Sequence, residues 1–183
     1  MLFRSQIQLG IIGVGWCGGI RAETAAKNPL VSSLHLAETH PERLQQLKQT
    51  VKADTYTDDY KKLIDNPSID AIVISATPES THYPMARDAL KAGKHVFLEK
   101  PIAIELAEAD ELIALARQKN LKFTIGYSQR FNPKYAYVKK ALNDGVIGRA
   151  VSVLVSRHIT RSLGKKISGR IKLSPAAMES DRK

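Results

Sequence analysis

The feature that most constrains the fold of this chain is an alternation. From residue 7 to about residue 122, short apolar runs are separated by amphipathic stretches, the pattern of parallel strands joined by crossover helices. Ile7–Ile12 is apolar on both parities, as a strand covered on both faces requires. A helix is predicted from about Cys17 to Lys27, stopped by Asn28-Pro29. Ser33–Ala37 reads as a second strand. Pro41 then opens a helix at a position where its missing N–H costs nothing, and Leu44, Leu47 and Val51 recur along it at helical spacing. A third strand is expected over Ala53–Tyr56. The helix after it, Asp58–Asp65, has acids in its first turn, favourable to the dipole. Ala71–Ser75, His95–Leu98 and Leu121–Ile125 supply three more strands, separated by helices over Ser80–Ala92 and Glu105–Lys119. The second of these helices repeats Ala109, Leu112, Ile113 and Ala116 on one face. Asn132 as N-cap and Pro133 at N1 open a last helix to Asn143.

Six such strands with right-handed crossovers give an α/β fold, a doubly wound parallel sheet of the Rossmann type. Such sheets bind ligands beyond the carboxyl ends of their strands. The first of those ends carries Gly13-Val14-Gly15-Trp16-Cys17-Gly18, a G-x-G-x-x-G between a strand and a helix. In that setting the glycines serve a tight turn, close approach of backbone to a pyrophosphate, and close helix-to-strand packing. The helix N-terminus adds N–H donors and positive potential. Glu38 ends the second strand, twenty residues past Gly18, where a carboxylate accepts hydrogen bonds from ribose hydroxyls and repels a 2′-phosphate. NAD is therefore favoured over NADP, with His40 and Arg43 near enough to blur the preference.

Charge suggests a different partner and has to be placed along the chain. Of 183 residues, 28 are Lys or Arg and 18 are Asp or Glu, a net charge of +10. The first 156 residues hold 20 basic and 16 acidic side chains, whereas residues 157–183 hold eight basic residues against Glu179 and Asp181. More than half of the excess therefore lies in a short tail. The single Cys17 excludes an internal disulfide framework and a Cys-rich zinc site, so no metal is expected, and it points to a reducing, cytoplasmic setting. No run approaches the roughly 18 apolar residues of a membrane span, so no membrane partner is expected. Leu9–Ile20 after Arg4 imitates a signal peptide, but five of its twelve residues are glycine, poor for a helical apolar core.

Several further motifs occur in order at the strand ends: Thr77-Pro78 with His82, Ala92-Gly93-Lys94-His95-Val96-Phe97-Leu98-Glu99-Lys100-Pro101, and Gly126-Tyr127 followed by Arg130-Phe131-Asn132-Pro133. Together with Gly13–Gly18 they resemble the Gfo/Idh/MocA oxidoreductases, the glucose-fructose oxidoreductase and inositol dehydrogenase group, from about Ile7 to Arg157. The resemblance implies oxidation or reduction of carbinol carbons of sugars, polyols and related compounds with NAD(P), usually in a homo-oligomer. By it, Lys100 would stand between the nicotinamide ribose and the substrate hydroxyl as the catalytic residue. Its ammonium would polarise the oxygen as hydride leaves the carbon, and burial there would let it relay a proton. Pro101 restrains Lys100 to an extended conformation.

Trp16, Cys17, Thr77, Pro78 and Glu99 join the glycines and Glu38 in the cofactor-binding set, with Trp16 as a cover for the diphosphate. His82 either contacts the cofactor or caps its helix. Tyr127, Arg130 and His158 are candidates for contact with a sugar or polyol substrate, although Tyr127 also suits a core position.

The same resemblance implies a domain division, residues 1–149 for the dinucleotide and residues 150–183 for the start of a second α/β domain. Ala150–Ile159 alternates like the first strand of that domain's sheet. Beyond it no Asp/His pair of the kind such enzymes place near the reacting carbon is found. Residues 160–183 are accordingly expected to be a stump of the second domain, and the chain to bind NAD weakly with little dehydrogenase activity. Two other functions stay open: a non-catalytic, redox-sensing dinucleotide module, separable by comparing NAD and NADH affinities alongside activity, and a basic nucleic-acid binder using the tail. No nucleic-acid partner is expected, because the charge belongs to residues that a further domain would balance or pair.

Overall fold

One parallel sheet organises the first 127 residues. Its strands are β1 (Ile7–Ile12), β2 (Val31–Ala37), β3 (Thr55–Thr57), β4 (Ala71–Ile74), β5 (His95–Leu98) and β6 (Phe123–Ile125). They lie in the order β3-β2-β1-β4-β5-β6, and every neighbouring pair is parallel. The computed structural model describes residues 6–165 apart from 157, 159 and 163. The chain divides into two compact units, residues 1–127 and 128–183.

The sheet is covered on both faces, and the period-two alternation of β1 shows how. Ile11 is buried with Val14 and Ala22, Leu34 and Leu36 of β2, and Leu47. These contacts belong to α1 (Trp16–Ala25) and α2 (Pro41–Thr50). Ile12, one residue on, faces the opposite layer with Ile72, Ile74, Leu90, Leu98 and Leu112, which is closed by α3 (Lys61–Ile64), α4 (His82–Lys91) and α5 (Leu106–Gln118). Each fully buried aliphatic side chain of this kind contributes about 1.5–3 kcal/mol. α5 starts with a reciprocal cap between Glu105 and Glu108, which satisfies donors the helix would otherwise leave unpaired.

Three expectations are corrected. The helix expected from Asp58 begins only at Lys61, because Asp59 uses its carboxylate to accept the Lys61 N–H (2.9 Å) while its own N–H donates to Thr57 Oγ1 (3.1 Å); such local bonds favour a turn over a helix. The third strand starts at Thr55 rather than Ala53, whose N–H is taken by Tyr56 Oη at 2.9 Å. The strand expected over Ala150–Ile159 is absent: residues 150–156 and 158 have no strand pairing. Its apolar residues lie exposed, Leu154 by 96%, because an extended segment without ladder partners satisfies neither its backbone groups nor its side chains.

The second unit contains a short 3-10 turn, Ser128–Phe131, and α6 (Pro133–Asn143), with the Asn132 side chain accepting the Lys134 N–H at 3.1 Å. The basic positions at 166 and beyond lie outside the described residues.

Candidate active site

One backbone hydrogen bond extends the ladder just past the ends of five of the six strands. Glu38 N–H donates to Thr57 O (2.9 Å), Gly13 to Ala37 O (2.9 Å), Ser75 to Ile12 O (2.8 Å), Glu99 to Ile74 O (2.9 Å) and Gly126 to Leu98 O (2.8 Å). These bonds set Glu38, Gly13, Ser75, Glu99 and Gly126 side by side along the carboxyl edge. Successive strands run one way from β1 to β3 and the other way from β4 to β6, so the crevice for a ligand falls between β1 and β4.

The three glycines of the first loop have separate tasks. Gly13 takes φ +78°, and a Cβ there would lie 2.5 Å from the Ala76 backbone; a Cβ on Gly18 would lie 2.0 Å from Gly13 O. Both positions require hydrogen in place of a side chain. Over Gly15 the space is open, the nearest heavy atom to a Cβ being Arg43 Nη1 at 3.8 Å. Gly15 is also the N-cap of α1, which has no side-chain cap and no acid in its first turn, so N–H groups at the positive end of the helix face this gap. That is a cradle suited to a diphosphate. Ser75 Oγ, which sequence reasoning passed over as a strand end, is buried nearby with no hydrogen-bond partner among the described residues. Such an orphan costs about 1–3 kcal/mol unless a ligand or water satisfies it.

Glu38 is buried and tied to the glycine loop. Its Oε2 accepts the Val14 N–H at 2.9 Å, its Oε1 accepts the His40 N–H at 3.0 Å, and Arg43 Nη1 stands 3.5 Å away. A ribose diol can be recognised there, with Arg43 at the margin.

Glu99 is arranged differently. Its carboxylate pairs with the Arg21 guanidinium and accepts the Lys100 N–H at 3.1 Å. Arg21 also donates to Cys17 O at 3.2 Å and lies over the Phe97 ring, 5.1 Å from its centroid. A Cβ on Gly126 would approach Glu99 Oε1 to 3.1 Å. Sequence reasoning missed Arg21; the usable signal was a cation three residues after Gly18 and four after Cys17, on the helix face that meets the sheet.

His82 is corrected from a cofactor contact or helix cap to an internal tie. It is 2% exposed, with Nδ1 2.7 Å from Pro101 O and Nε2 3.1 Å from Ala76 O, so its ring joins the segment after β4 to the segment after β5. Lys100, expected to be buried, is exposed, because nothing in this unit covers the carboxyl edge at β5. Thr77 and Pro78 are exposed on the same edge, and the Thr77–Pro78 and Lys100–Pro101 peptides are cis. Trp16 is exposed, Cys17 half-buried and Tyr127 half-exposed rather than core. In the second unit, Arg130 is exposed, and His158, also exposed, has Nε2 3.1 Å from Ser156 Oγ. Among the described residues no group of three His, Cys, Asp or Glu could hold a metal ion, and no helix is long and apolar enough to cross a membrane.

This strand order, the glycine loop at the switch point and the carboxylate past β2 define a dinucleotide-binding α/β domain. Residues 7–127 match the GFO_IDH_MocA family model, the oxidoreductase family with an NAD-binding Rossmann fold, and the chain belongs to that family. The myo-inositol 2-dehydrogenase of Thermotoga maritima is 28% identical over 143 residues, 78% of this chain and 42% of that protein. The levoglucosan dehydrogenase of Pseudarthrobacter phenanthrenivorans is 30% identical over 154 residues, 80% of this chain and 39% of that protein. Among solved structures, scyllo-inositol dehydrogenase from Lactobacillus casei with bound NAD(H) and scyllo-inositol superposes with a TM-score of 0.72 at 32% identity, covering 78% of this chain and 42% of that one. The chain thus spans about two fifths of the length of these relatives.

Proposed function

We propose that this chain provides the NAD-binding part of a dehydrogenase acting on a cyclic polyol or sugar, together with the lysine that holds the reacting oxygen. The observation that carries the reading is Glu38: a buried carboxylate bonded to the Val14 N–H of the glycine loop, next to an uncapped helix end and the open space over Gly15. Gly13, Gly15 and Gly18, with Trp16 and Cys17 at the helix start, would hold the diphosphate, and Glu38 the adenosine ribose. Thr77, Pro78 and Lys100 would bound the other half of the dinucleotide.

A bound nicotinamide supplies the hydride acceptor. Lys100 would hold the substrate hydroxyl oxygen by a hydrogen bond. As a carbinol is oxidised to a carbonyl, hydride leaves its carbon, the hydroxyl proton goes to solvent, and the Lys100 ammonium would stabilise the charge that develops on the oxygen. The inositol and levoglucosan dehydrogenases among the relatives support a ring-shaped, hydroxyl-rich substrate. Tyr127, at the end of the same unit, is a candidate for its recognition.

Titration of the chain with NADH and NADPH, followed by nucleotide fluorescence, tests the cofactor half. Saturable binding that is tighter for NADH is expected; no saturable binding of either overturns the proposal. With NAD⁺ and scyllo-inositol, myo-inositol or levoglucosan, slow NADH formation that disappears in Lys100→Met is expected. Turnover insensitive to that substitution removes Lys100 from the reaction.

A further inference from the structure

Arg21 has no place in the dinucleotide scheme, yet it makes the most closely restrained ion pair on the carboxyl edge. It stands on α1, the helix that starts at the glycine loop, and its partner Glu99 follows β5, two strands from β1 with β4 between them. The pair therefore crosses the crevice at the switch point. Both groups are largely shielded, their side chains being 26% and 12% exposed, and the guanidinium is further held by Cys17 O and the Phe97 ring. A planar guanidinium with several fixed partners has little freedom left to lose, and holds a carboxylate in one orientation. The same carboxylate accepts the Lys100 N–H, which fixes the peptide from which the Lys100 side chain departs. The absent side chain at Gly126 leaves room for this arrangement.

We propose that Arg21 is a positioning residue which, through Glu99, sets the Lys100 peptide on the nicotinamide side of the site. This rests on the dinucleotide reading given above. The adenosine side has its own anchors, Glu38 on Val14 and His40, so loss of the pair should be felt by one half of the dinucleotide.

The test compares two ligands, NADH and ADP-ribose, which carries the adenosine and diphosphate but no nicotinamide. Each is titrated into the full chain and into Arg21→Met, Arg21→Lys, Glu99→Gln and the Arg21→Met/Glu99→Gln double variant. In Arg21→Met and Glu99→Gln the Kd for NADH rises about tenfold, the size of one charge-assisted hydrogen bond, while that for ADP-ribose stays within about twofold. The double variant is no worse than either single one, as coupled residues require, and Arg21→Lys falls between. Retained ADP-ribose binding shows in the same experiment that each variant is folded. An equal loss for both ligands, as from a merely structural pair, or no loss for either, overturns the inference alone. Failure of the unaltered chain to bind ADP-ribose and NADH overturns the dinucleotide reading and this inference with it.

Discussion

Glu38 and Glu99 occupy matching places in the two halves of the sheet. Each is the residue after a strand, each is ordered by a backbone N–H, and each has an arginine beside it. They differ in where the arginine comes from and how firmly it is held. Arg43 lies on the helix that follows Glu38, is 47% exposed and stands 3.5 Å off. Arg21 reaches Glu99 from the other half of the fold and is held at three points. A carboxylate whose cation stands off keeps lone pairs that a ligand's hydroxyls can use, whereas one paired closely with a guanidinium is held in one orientation. Two identical residues at equivalent strand ends thus have different surroundings, decided by the reach of a single cation.

The glycines bring out the difference most strongly. Gly18→Ala is expected to cost about 3 kcal/mol or more, since the new Cβ meets the Gly13 carbonyl at 2.0 Å and backbone cannot yield. Gly126→Ala on the Glu99 side should cost less, about 1 kcal/mol, because the Cβ meets the clamped Glu99 carboxylate only at 3.1 Å, a contact relieved by a shift of a few tenths of an ångström. Urea unfolding of the two variants measures both, and equal losses would break the comparison.

Next in size is cofactor preference. Glu38→Ala should weaken NADH by about tenfold or more, as loss of charged hydrogen bonds does, and move the NADH-to-NADPH ratio toward NADPH. Glu99→Gln should leave that ratio unchanged although it weakens NADH. A ratio that moves equally in both variants would show that the two carboxylates are not specialised. Smaller still, Arg43→Ala should lower NADPH affinity several-fold and alter NADH by less than about twofold, as expected of a marginal cation facing a 2′-phosphate.

The smallest effect concerns acid stability at the outer strands of the Glu38 half. His35 is buried on β2 with its ring nitrogens near Ser33 Oγ and Thr55 Oγ1, and burial pushes its pKa below 6.5, opposed by the charge of Asp54. The unfolded chain then takes up a proton more readily than the folded one. Stability is full above about 6.5 and declines as pH falls through the lowered folded value. Asp54 accepts the Leu34 N–H at 2.8 Å, which holds its carboxyl below 3.8. Its contribution is present above that value and lost as pH falls through the folded one. Urea midpoints between pH 7 and 3 should show both declines, and His35→Asn should remove only the upper.

Much of the architecture was legible because periodicity reports burial. All six strands and the helices between them could be placed from apolar runs bounded by Gly, Pro and Asn, and Gly13–Gly18 with Glu38 could be assigned from their strand-end positions. Residues 150–156 show where that reasoning stops. Their alternation is as regular as a strand's, but a strand forms only against a partner, which local sequence cannot provide. The helix expected over Asp58–Asp65 is shorter for a nearer reason: the Asp59 side chain accepts the Lys61 N–H and fixes where the helix begins.

Lys94 could be read only as a member of a motif. The fold buries it, with Nζ donating to Asn66 O at 2.6 Å and Ile69 O at 2.8 Å, and burial lowers its pKa. His82 and Arg21 were equally opaque, for they bond to residues 19 and 78 positions away in the chain, respectively. The sequence by itself determined the order of elements, the crevice at the end of β1 and the chemistry of its first anchors, all of which rest on neighbours within about twenty residues. Only the tertiary structure decided which groups are clamped and which remain open, because hydrogen bonds and ion pairs between distant elements depend on distances that exist after the sheet has formed.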